Sequence, residues 1–128
     1  HPASPYVAQL LGTNLLRGTA ESAEQFRTEN GFVLHVAIDG ALRGPSFAVI
    51  DPNAITLFTD APHASARNTW RATVSDLDRE PHRVRVRFSS PVELVAHVTP
   101  EAAHELALAP GTDVWCAIKA TAIAVHAL

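Results

Sequence analysis

The chain has 128 residues, 47% of them hydrophobic, and a formal net charge of −3. That is enough apolar material for one ordinary domain or two small ones, and the charge balance gives nucleic acid or an anionic membrane no electrostatic hold. One cysteine, Cys116, rules out an internal disulfide and, between Trp115 and Ala117, reads as a small buried hydrophobe in a cytosolic protein. No apolar run reaches membrane-spanning length, no signal peptide is present, and the opening His1 reads as the start of a piece of something longer.

Pro2 and Pro5 predict an extended lead into a short helix or turn over Tyr6 to Leu11, ended by Gly12. Asn14 to Gly18 starts a strand. Glu21 to Asn30 is polar and turn-prone, and Asn30-Gly31 is a strong hairpin-turn signal. Phe32 to Ile38 is apolar enough for a strand buried on much of both faces. Asp39-Gly40 and Arg43-Gly44-Pro45 read as turns, and Phe47 to Ile50 as a strand. Asp51-Pro52-Asn53 breaks it before a last strand of this half, Ile55 to Phe58.

Thr59 to Ala64 is a linker, and the plan then repeats. Thr69 to Leu77 is a strand. Arg83 to Phe88 alternates strictly, so Val84, Val86 and Phe88 share the core face, and Val92, Leu94, Ala96 and Val98 do the same on the next strand. Thr99-Pro100-Glu101 starts a helix with a hydroxyl cap, Pro at the first position and an acid in the first turn. The helix runs over Ala102 to Leu108 and stops at Pro110-Gly111. Val114 to Ile118 and Ile123 to Val125 are the final strands.

The halves form an internal repeat. FAVIDPNAITLF from Phe47 aligns without a gap on WCAIKATAIAVH from Trp115, and Asn14 to Gly18 aligns on Asn68 to Ala72. The offsets differ, and the Thr99 to Leu108 helix accounts for most of the insertion. The expected organisation is a leading segment (1–11), a first repeat (12–60) and a second repeat (61–128). The expected fold is all-β: two OB-like five-stranded barrels with a short helix in the second.

Ser65-Ala66-Arg67-Asn68 places a hydroxyl, a guanidinium and an amide within four residues, and Lys119-Ala120-Thr121 adds a cation and a second hydroxyl. Neither stretch holds a carboxylate. That inventory suits a small dianion, which needs several donors and one or two cations to replace its water. Thr99, at a helix start, offers a further hydroxyl and backbone donors. Taken singly, each residue has a bland reading: Arg67 as a solvated side chain, Thr99 as a plain cap, Lys119 as an edge-strand guard. The seven histidines show no metal-ligand spacing, no nucleophile–base pair suggests an enzyme, and no Gly-rich loop ends in Lys-Ser/Thr to hold ATP.

Ser65 to Asn68 followed by Trp70, Ala117 to Ala120 followed by an apolar strand, and Leu106 to Thr112 between them resemble the Mop domain, a branch of the TOBE superfamily. Ser4 to Ala8 with Gly12 to Leu16 resembles the segment that leads from an ABC-importer ATPase domain into its C-terminal TOBE region. The chain is thus similar to the tandem Mop C-terminal regulatory domain of a molybdate importer's ATP-binding subunit. The resemblance implies molybdate or tungstate as ligand and no cofactor. It implies a homodimer through these domains, an ATPase domain and a membrane permease as partners, and a place at the inner face of the plasma membrane. It also implies a site made of Ser65, Ala66 (backbone N–H), Arg67 and Asn68 from one chain with Thr99, Lys119 and the Ala120 backbone from the other. Ala102 departs from members with a second hydroxyl on the helix. Leu11, Thr13 and Asp51 replace Ser65, Arg67 and Lys119 in the first repeat, so that repeat is expected to be structural or weak. The alternatives are a scaffold that only dimerises an ABC ATPase, with Arg67 and Lys119 in interface ion pairs, and a molybdate storage or sensor domain.

Overall fold

The computed structural model describes residues 12–63 and 68–128. The expected fold class holds: two antiparallel five-stranded sheets, curled as half-barrels, with one short helix. In chain order the strands are β1 (Asn14–Ser22), β2 (Gln25–Thr28), β3 (Val33–His35), β4 (Gly44–Ile50), β5 (Thr56–Phe58), β6 (Asn68–Arg79), β7 (Val84–Ser90), β8 (Leu94–Val98), β9 (Asp113–Ile118) and β10 (Ile123–Ala127). The helix α1 (Pro100–Glu105) follows β8. Two 3-10 turns, η1 (Pro52–Ala54) and η2 (Ala120–Ala122), follow β4 and β9. No helix among the described residues is long and apolar enough to cross a membrane.

Among the described residues, one compact unit comprises those up to Asp51 with Lys119–Leu128, and the other those from Pro52 to Ile118. The first sheet runs β10-β4-β1-β2-β3 and the second β5-β9-β6-β7-β8. Each repeat therefore gives its last strand to the other repeat's sheet: β5 pairs with β9, and β10 with β4. The chain passes from one unit to the other after Asp51 and after Ile118. Hydropathy marks where a strand lies but not which strand its backbone will pair with.

Central strands carry the densest burial. β4 lies between β10 and β1 and buries Ser46, Phe47, Ala48 and Ile50; β9 lies between β5 and β6 and buries Val114, Cys116, Ala117 and Ile118. Burial pushes the Cys116 thiol up to about 12, which leaves it a packing residue rather than a nucleophile. On β7 the strict alternation is realised: Val84, Val86 and Phe88 are buried, each contributing roughly 1.5–3 kcal/mol of apolar burial. Ser46 is the flaw in this core. It is 0% exposed and its hydroxyl has no hydrogen-bond partner among the described residues. Val114 holds the corresponding place in β9. Replacing Ser46 by alanine is expected to stabilise the chain by about 1 kcal/mol, seen as a higher urea midpoint at unchanged slope.

Two segments differ from expectation. The polar stretch Glu21 to Asn30 contains β2, because only Phe26 and Thr28 face inward while Gln25 and Arg27 reach across to Glu21. The Arg27 hydrogen bond, then that of Gln25, holds the Glu21 carboxyl below the usual range. The expected strand over Phe32 to Ile38 shortens to the edge strand β3, alternating rather than buried on both faces. Beyond it the Val36 and Ile38 amides donate to Glu24 and Ala23. Asn30-Gly31 does form the turn between β2 and β3: Gly31 has φ 91°, and its N–H donates to the Thr28 carbonyl.

The helix begins as expected. The Thr99 hydroxyl oxygen accepts from the Ala102 N–H at 3.1 Å, with Pro100 at the first position. It ends at Glu105 rather than Leu108. Ala107 turns left-handed at φ 51°, so its N–H reaches the His104 carbonyl and the Leu108 N–H reaches that of Ala103.

Candidate functional site

The repeat is visible in the hydrogen bonds. Asn14 opens β1 and pairs with Ile50, the last residue of β4; Asn68 opens β6 and pairs with Ile118, the last residue of β9. Both asparagines are buried, at 7% and 4% exposure. The Asn14 Nδ2 donates to the Ile50 carbonyl at 3.2 Å, and the Asn68 Nδ2 donates to the Ile118 carbonyl at 3.4 Å. A 3-10 turn follows each anchored carbonyl, opened by Pro52 in η1 and by Ala120 in η2.

Ser65, Ala66 and Arg67 lie outside the described residues. They lead directly into Asn68, so the strand pairing brings the end of that motif to the residue before Lys119. Asn68 and Ile118 thus close one end of the β6–β9 pair, next in sequence to Arg67 and to Lys119. Lys119 is exposed and caps η2 in extended conformation, φ −72° and ψ 141°. Its carbonyl accepts from the Ala122 N–H at 3.0 Å, and no ion pair among the described residues involves it. Ala120, first in the turn, carries one of the N–H groups that a helical turn leaves for an outside acceptor. Thr121 is exposed beside it.

Thr99 is elsewhere in the register. It follows Val98, which pairs with Val84, itself opposite Arg79 at the far end of β6 from Asn68. The local donors are largely engaged. Pro100 has no N–H, the Ala102 N–H goes to the Thr99 hydroxyl oxygen and the Ala103 N–H to the Thr99 carbonyl. What Thr99 retains for a ligand is its hydroxyl proton.

The first repeat shows which features are particular to the second. Asp51 stands where Lys119 does, and Pro52 where Ala120 does. Proline has no N–H, so the first turn lacks both the cation and the backbone donor. The Thr13 hydroxyl adds a second bond to the Ile50 carbonyl, at 3.1 Å. Sequence reasoning caught the aspartate and passed over the proline, whose meaning depends on knowing that position 52 opens a turn.

Residues 64–125 match the TOBE domain family. The molybdenum import ATP-binding protein ModC of Mycobacterium tuberculosis is 33% identical over 131 residues, which covers 98% of this chain and 36% of that protein. The molybdate/tungstate import ATP-binding protein WtpC of Pyrococcus abyssi is 30% identical over 129 residues, again 98% of this chain and 36% of the relative. The chain thus spans about a third of the length of the curated relatives it matches. The solved structure of the cytoplasmic molybdate-binding protein ModG, with molybdate bound, superposes with a TM-score of 0.76. It covers 90% of this chain and 96% of that one at 24% identity, a likeness of fold. Residues 64–125 of the chain are thus a TOBE domain.

Proposed function

We propose that the chain is an oxyanion-binding regulatory domain, taking molybdate or tungstate, of an importer's ATP-binding subunit. In this reading the parent protein hydrolyses ATP at the cytoplasmic face of the membrane beside a permease, and this domain senses the imported ion. Two copies pair through these domains, so that Ser65, Ala66, Arg67 and Asn68 of one chain work with Thr99, Lys119 and the Ala120 backbone of the other. The observation that carries the reading is the η2 turn. It offers an exposed cation and an undedicated N–H on an anchored backbone, while its counterpart η1 offers an acid and a proline. The names of the relatives support molybdate and tungstate as the ions.

Fixed donors sized for the longer metal–oxygen bonds leave one or more unpaired around sulfate, at about 1–3 kcal/mol each. Titration calorimetry with molybdate, tungstate and sulfate is the test. Molybdate and tungstate are expected to bind with similar strength and sulfate at least about tenfold more weakly. Equal competition by sulfate would replace the reading with a general anion pocket. No binding of any of the three would favour the dimerisation scaffold.

A further inference from the structure

We infer that Asn68 acts, within its own chain, as a positioning residue for the Lys119 and Ala120 donors of the oxyanion site. The inference rests on the oxyanion reading above and deepens it. The Asn68 side chain is 4% exposed and its Nδ2 donates to the Ile118 carbonyl. That carbonyl belongs to the peptide unit whose N–H is that of Lys119. Peptide units are planar, so holding the oxygen sets the direction of the N–H on the other side of the bond. The next bond along, from the Ala122 N–H to the Lys119 carbonyl, fixes the second peptide plane, which carries the Ala120 N–H. Two successive backbone donors are therefore aimed by hydrogen bonds made at their carbonyl oxygens, and Asn68 supplies the first of them. A donor already oriented loses little freedom when an anion arrives, which is where affinity is gained.

The first repeat provides an internal control. Asn14 has nearly the same burial and makes the same bond to the Ile50 carbonyl, but the turn that follows holds Asp51 and Pro52. Losing Asn14 leaves the Ile50 carbonyl its bond from the Thr13 hydroxyl, so a purely structural role costs no more stability at Asn14 than at Asn68. Only the second repeat has a site to misalign.

Asn68→Ala, Asn14→Ala and Lys119→Ala are each measured for urea unfolding and for molybdate affinity in the full chain. The inference expects a loss of stability in Asn14→Ala no larger than in Asn68→Ala, a molybdate affinity about tenfold weaker for Asn68→Ala, and wild-type affinity for Asn14→Ala. In the wild type, molybdate should also slow hydrogen exchange at the Lys119 and Ala120 amides, and Asn68→Ala should abolish that protection. If Asn68→Ala does not fold, Asn68→Ser, which keeps a shorter donor, is read the same way. Binding lost in Lys119→Ala but unchanged in Asn68→Ala overturns the positioning role and leaves the site standing. Equal weakening in Asn14→Ala and Asn68→Ala reduces both to structural residues. Binding unchanged in Lys119→Ala overturns the site itself, and the inference with it.

Discussion

Replacing Ala120 by proline is expected to cost most of the molybdate affinity while leaving the fold intact. Proline at the first position of a helical turn removes an N–H that the turn does not use. The residue before a proline must be extended, and Lys119 already sits at φ −72° and ψ 141°. Pro52 occupies the matching place in η1, which shows that this architecture accepts it. The substitution therefore deletes one donor and little else. A hydrogen bond to a charged acceptor is worth about 1.5–3 kcal/mol, so affinity should fall by about 10- to 100-fold. The urea midpoint should be unchanged or slightly raised. The reciprocal change, Asp51→Ala with Pro52→Ala, should leave molybdate binding as it was. A variant Ala120→Pro that binds like the wild type would remove the Ala120 N–H from the site, and weakened binding in the reciprocal variant would move the site to the first repeat.

Gly18→Ala is expected to destabilise the chain by about 3 kcal/mol or more. Gly18 pairs with Thr28 across β1 and β2 and with Ser46 across β1 and β4. A Cβ there would lie 2.1 Å from the Arg27 carbonyl oxygen and 2.8 Å from the tip of the Phe26 ring. The ring has some room to turn, but the carbonyl is backbone in a paired strand. Relief requires β1 and β2 to part, exposing Phe26, which is fully buried. Against a typical total of about 5–15 kcal/mol this is a large fraction, visible as a sharply lower urea midpoint. Ala72 holds the same place in β6 without difficulty, because pairing with β7 starts one residue later, at Thr73. An unchanged midpoint for Gly18→Ala would show that β1 and β2 are not pressed together as the structure has them.

These two substitutions also separate what is local from what is not. The sequence by itself determined the alternation of Val84, Val86 and Phe88, the Asn30-Gly31 turn, the Thr99 cap and the alignment of the two repeats. Each depends on chemistry confined to a few neighbouring residues: side-chain direction along a strand, tolerance of positive φ, a hydroxyl near a free N–H. It also carried the resemblance from which the family could be read. Only the tertiary structure decided that β5 completes the second sheet and β10 the first, because backbone hydrogen bonds carry no label identifying their partner. The same holds for β2, whose single buried aromatic needs β1 beside it before it reads as a strand. Asn68 belongs here too: the sequence shows a polar residue next to Arg67, and only the pairing with Ile118 takes it out of water and gives its amide a carbonyl to hold.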